Sequence, residues 1–107
     1  MRLIPVAVVL LALIGGVCAC GGAEGRRATH IARGQKYLAD GKLEKARVEF
    51  ADALQISPND PQARYLSGRV MERLGDLRTA ASLYRGTIDV DPGHAAARAR
   101  LARLYVF

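Results

Sequence analysis

The sequence predicts an all-α protein: two full helical hairpins and one further helix, stacked in a row behind an apolar leader. Three observations carry that expectation. The first is a self-similarity at a fixed spacing of 34 residues. Gly34, Gly41, Leu43, Ala46, Phe50, Leu54, Ile56 and Pro58 return as Gly68, Gly75, Leu77, Ala80, Tyr84, Ile88, Val90 and Pro92. Such a period marks a supersecondary unit that cannot bury its apolar face alone and stacks on its neighbours. The second is punctuation. Gly41 and Gly75 stand where a helix ends on a left-handed residue, which glycine adopts without steric cost. Asp60 before Pro61 reads as an acceptor cap followed by proline at the first helical position, and Asp76 can cap a helix in the same way. The third is the placing of small residues. Gly34, Ala46, Gly68 and Ala80 fall where paired helices cross, Phe50 and Tyr84 fill the space beside them, and Ala53 lets the next helix dock.

The leader comes first in the chain. Arg2 opens it, and an apolar run follows from Leu3 to Val17, broken only by Pro5 and Gly15–Gly16. Its length suits a secretory leader and falls short of the roughly 20 residues that a membrane-spanning helix needs. An uncleaved signal anchor is the alternative. The run ends in Val17-Cys18-Ala19-Cys20. This resembles the bacterial lipobox: a branched apolar residue, a free position and a small residue before the cysteine that receives lipid. Cys18 departs from the small or branched residue usual at its position. The resemblance implies a signal peptide over 1–19 and lipid attachment at Cys20. Several acyl chains, at about 0.8 kcal/mol per buried methylene, hold a protein on a bilayer nearly permanently. Gly21, where an Asp would favour inner-membrane retention, implies the outer membrane of the cell envelope, facing the periplasm.

Cleavage before Cys20 leaves 88 residues with fifteen Lys and Arg against ten Asp and Glu. With Cys18 removed and Cys20 lipidated, no thiol remains for a disulfide framework or a Cys-based metal site. The positive excess is spread along the helices and reads as solvated surface. Nucleic acid is not an expected partner.

Residues 20–26 contain Gly-Gly-Ala-Glu-Gly-Arg and read as a lipidated flexible tether. The first repeat then covers 27–60, with helices near 28–40 and 44–56. The second covers 61–94, with helices near 62–74 and 78–90, and a partial third covers 95–107, with one helix to about 106. Gly34, Tyr37, Gly41, Ala46, Phe50, Ala53 and Pro58 together resemble the tetratricopeptide (TPR) repeat. The second unit keeps Gly68, Gly75, Ala80, Tyr84 and Pro92, but has Met71 for the aromatic residue and Thr87 for the alanine. His30 stands where that family often has Trp, and Arg33 where it prefers Leu. The resemblance implies a short right-handed solenoid whose first helices line an inner groove for a protein partner. The groove positions it assigns include Gln35 and Leu38 in the first repeat, Tyr65, Arg69 and Arg73 in the second, and Arg103 in the third. A groove graded from apolar to basic suits an extended peptide or helix with an apolar end and an acidic stretch. The opposing view is that these arginines are only solvated. One family subset clamps chaperone carboxyl termini with Lys and Asn. The matching positions here are Ile31, Gln35, Leu66, Ala96 and Arg100, so that partner class is not expected.

Catalytic chemistry is not expected either, nor a cofactor or metal. His30 takes a packing position and His94 follows a turn, and neither has a His-x-x-x-His spacing or a nearby Cys. Glu44, Glu49 and Asp52 read as solvent-facing partners of Lys45 and Arg47. Tyr37-Leu-Ala-Asp-Gly-Lys, the stretch from Ala46 to Ile56, and Ala63-Arg-Tyr-Leu resemble TPR lipoproteins found beside exopolysaccharide loci and the PEP-CTERM sorting system. A pilotin-like lipoprotein for pilus or secretin assembly is a second reading, and the N-terminal fragment of a longer TPR protein carrying another domain, such as an enzyme, a third. The apolar Leu101–Phe107 end adds an expectation of marginal stability or self-association there.

Overall fold

A computed structural model describes residues 22–106. The leader and the whole lipobox-like stretch Val17–Cys20 lie outside the described residues. Five helices follow one another, with no strand among the described residues: α1 (Gly22–Ala39), α2 (Leu43–Ile56), α3 (Pro61–Leu74), α4 (Leu77–Val90) and α5 (Ala95–Val106). None is long and apolar enough to cross a membrane. The chain packs α1 on α2 and α3 on α4 as hairpins, joins them through α2 and α3, and lays α5 on α4.

One expectation fails at the start. The segment read as a flexible tether is helical from Gly22 onward. Glu24 in the first turn favours the positive end of the helix, and it pairs with Arg27 at 2.8 Å. Thr29 Oγ1 donates to the Gly25 carbonyl at 2.9 Å. These local contacts, absent from a reading of glycine content alone, outweigh the low helix propensity of Gly22 and Gly25.

The two turns inside the hairpins end α1 and α3 on glycines with positive φ, Gly41 at 75° and Gly75 at 86°. Asp60 caps α3 by accepting from the Gln62 and Ala63 amides at 2.9 and 3.4 Å. Asp76 caps α4 through the Thr79 amide at 3.2 Å and its hydroxyl at 2.7 Å. His94 caps α5: its Nδ1 accepts from the Ala97 amide at 3.1 Å.

The core runs along the stack. Phe50 lies on Gly34 and Tyr84 on Gly68, both rings fully buried. A Cβ on Gly68 would stand 2.5 Å from Tyr84 Cε1, and one on Gly34 would overlap the Phe50 ring. Only glycine lets an aromatic ring of this size lie flat on the partner helix, so the small residues serve as expected. Ile31, Leu38, Ala46, Ala53, Ala63, Leu66 and Val70 complete the first cluster, and Ala80 and Ala97 join Tyr84 in the second. Thr87, the departure from alanine, is buried without penalty because its hydroxyl donates to the Leu83 carbonyl at 2.8 Å.

Candidate interaction surface

The odd-numbered helices α1, α3 and α5 share one side of the stack and are tied together there by arginines. Arg73 Nη1 donates to the Leu38 carbonyl at 2.7 Å, from α3 to the end of α1. Arg100 Nη1 on α5 donates to Glu72 Oε2 on α3 at 2.9 Å. The other oxygen of Glu72 accepts from the Tyr84 hydroxyl at 2.9 Å. Glu72 is therefore fully employed inside the fold. Burial, and next the Glu72 carboxylate, hold the Tyr84 hydroxyl above the ordinary phenol range.

The residues assigned to a groove separate into three groups. Leu38 leaves the list: it is buried, 7% exposed, and belongs to the core between α1 and α2. The repeat resemblance that assigned it to the groove did not reveal that this position turns inward. Tyr65 is half-buried, with its ring 5.8 Å from that of Tyr84 and 4.8 Å from the His94 ring, so most of its area is committed to packing. Arg73 is exposed, although one guanidinium nitrogen is held by Leu38. The third group is Gln35, Arg69 and Arg103, which occupy one register on α1, α3 and α5, 34 residues apart. Gln35 and Arg103 are exposed and Arg69 is half-buried. The Nε of Arg69 is buried and finds no hydrogen-bond acceptor among the described residues.

Two further polar assemblies were not read from sequence. Arg64 closes the second hairpin: Nε donates to the Pro58 carbonyl at 3.0 Å, Nη1 to the Gly86 carbonyl at 3.0 Å and Nη2 to Asn59 at 2.9 Å. Arg98, one period on, repeats the first of these with the Pro92 carbonyl at 2.6 Å. That recurrence was a usable signal, since Pro58 and Arg64 return together as Pro92 and Arg98. In the first hairpin the same place is taken by His30, which does more than pack. Its Nδ1 lies 2.7 Å from Glu49 Oε2 and 4.0 Å from Asp52 Oδ2. Glu49 is thus half-buried against α1 and not a solvent-facing partner of Lys45 or Arg47. Among the described residues Arg47 pairs with Glu44 alone, at 2.8 Å.

The family model described as TPR repeat matches residues 34–75, from the glycine under Phe50 to the glycine that ends α3. That stretch of the chain is similar to the TPR repeat, in agreement with its helical hairpins. Such repeats are generally modules of protein–protein interaction and not typically enzymes. No curated protein matches the sequence.

Proposed function

We propose that this chain is a membrane-held interaction module that takes an acidic segment of a partner protein along α1, α3 and α5. Arg69 is the observation that carries the reading. It stands in the middle of the Gln35–Arg69–Arg103 row, and its buried Nε lacks an acceptor among the described residues. An unsatisfied buried donor costs about 1–3 kcal/mol, and a partner carboxylate at this guanidinium relieves that cost with charge-assisted hydrogen bonds. Arg103 and Arg73 add positive charge on the same side. The hairpins stack as a right-handed solenoid in this reading, with the row along its inner face.

Selection of peptides from a random library is expected to enrich acidic runs. Arg69→Glu with Arg103→Glu should weaken the selected peptide about tenfold or more while helicity is kept. Enrichment of peptides without acidic residues, or unchanged binding in the variant, would overturn the groove.

The holding group in the same reading is lipid on Cys20, set by the lipobox-like Val17–Cys20. It places the module at the outer membrane facing the periplasm, as an accessory of an exopolysaccharide or protein-sorting system. Labelled palmitate should enter the wild-type protein and not Cys20→Ala, which should leave the membrane fraction. A Cys20→Ala chain that still takes up label refutes the anchor.

A further inference from the structure

We infer that His30, Glu49 and Asp52 form a binding site for a divalent transition-metal ion, of the Zn2+ class, that clamps α1 to α2. One imidazole from α1 meets two carboxylates presented three residues apart by α2, and one ligand atom from each lies within 4.8 Å of the others. The separations already approach a coordination sphere. Bonds of roughly 2.0–2.1 Å at a tetrahedral ion put neighbouring ligand atoms about 3.3 Å apart. Here Nδ1 is 2.7 Å from Glu49 and 4.0 Å from Asp52, so shifts of about 0.6–0.7 Å, within side-chain rotation, admit an ion between them. All three groups are partly buried, with side chains 25%, 16% and 44% exposed, which limits competition from water while leaving an open coordination position.

Charge balance points the same way. Among the described residues neither Glu49 nor Asp52 has a Lys or Arg at ion-pair distance; both face only His30. One imidazole, even protonated, neutralises one carboxylate at most, whereas a dication satisfies both. The set is also not a requirement of the fold. One period later the equivalent positions hold Arg64, Leu83 and Gly86, and the second hairpin is closed by a guanidinium donating to a carbonyl. The chemistry of the donors, one nitrogen and two carboxylate oxygens, favours Zn2+ and its first-row neighbours over Mg2+, which keeps its waters. Arg26 and Arg33 line one hollow together with His30, and their positive charge lowers the affinity expected for a cation there.

The test is a Zn2+ titration of the full chain, purified in detergent without a tag, stripped with EDTA, and carrying Cys18→Ser and Cys20→Ser so that no thiol competes. One Zn2+ per chain is expected, displaced from an indicator dye. Binding should weaken about tenfold or more in Asp52→Asn and in His30→Gln. His94→Gln should leave it unchanged, as should excess Mg2+. Asp52→Asn is the deciding variant. At 4.0 Å from the ring its carboxylate adds little to a simple His30–Glu49 pair, so an ion pair alone would not notice its loss. Circular dichroism of the same samples establishes that each variant is folded. Absence of saturable binding at millimolar Zn2+, or equal binding in wild type and Asp52→Asn, overturns the site.

Discussion

The two hairpins are built on one backbone and finished with different chemistry. Their turns repeat nearly atom for atom. Lys42 donates its amide to the Tyr37 carbonyl at 2.8 Å as Asp76 does to Met71 at 3.0 Å, and Ser57 donates to Ala53 at 3.0 Å as Asp91 does to Thr87 at 2.8 Å. Lys42 has φ −85° and ψ 73°, and Asp76 has φ −85° and ψ 77°. The side chains then diverge at equivalent places. The buried ring is Phe50 in the first and Tyr84 in the second. Glu72 accepts from the Tyr84 hydroxyl, and the position one period earlier is Leu38, buried in the same cluster as Phe50. The closing group is a histidine against two carboxylates in one and an arginine against carbonyls in the other. Shape is therefore the repeated quantity, held by glycine, alanine and an aromatic ring, while polar satisfaction is solved separately each time.

Exchanging the rings tests that division. Phe50→Ala and Tyr84→Ala each empty a fully buried aromatic site and should cost about 3–5 kcal/mol, a large share of a small domain's stability. Phe50→Tyr should cost about 1–3 kcal/mol, because Leu38 stands at the position from which the second hairpin offers Glu72. Tyr84→Phe should cost only about 1 kcal/mol, the net worth of one hydrogen bond. Urea unfolding of a leaderless chain, followed by circular dichroism, gives all four values. Equal costs for Phe50→Tyr and Tyr84→Phe would break the claim that the polar solutions are private to each hairpin.

The repeated part was legible in the sequence, and the private part was not. Gly41, Gly75, Asp60 and Asp76 act at the places their residue types imply, because caps and left-handed turns are local and each residue carries its own signal. The 34-residue spacing locates every helix to within a residue or two at its end, except the start of α1. There the glycine-rich segment reads as loose chain, yet Glu24 and Arg27 hold it in a helix. The pairings that shape the candidate sites join residues 19 to 35 apart: His30 with Glu49, Arg64 with Gly86, Arg100 with Glu72, Arg73 with Leu38. No local pattern marks such pairs, since each depends on how two helices are rotated against each other. Leu38 shows the cost: the repeat resemblance assigned it to the groove, and packing turned it into the core.

The caps give the smallest and cleanest contrast. Thr79 donates through both its hydroxyl and its amide to Asp76, and these bonds hold the Asp76 carboxyl below the ordinary aspartate range. A depressed carboxylate pKa contributes stability that is complete above the unfolded-state value and is lost as pH falls through the folded-state value. Acid should therefore loosen the start of α4 before that of α2, whose cap residue Lys42 makes no side-chain hydrogen bond. Amide exchange at Thr79 followed against pH reads this directly, and Asp76→Asn, an equally good cap that does not titrate, should flatten the dependence. The reverse exchange is Lys42→Asp. Its backbone differs from that of Asp76 by 4° in ψ, so the new carboxylate meets the amide of residue 45 as Asp76 meets that of 79. The helix dipole also favours the negative charge at this end. A gain of about 1 kcal/mol is expected, along with a new loss of stability in acid. A Lys42→Asp chain no more stable than wild type at neutral pH would mean that matching backbone angles do not make the two turns interchangeable.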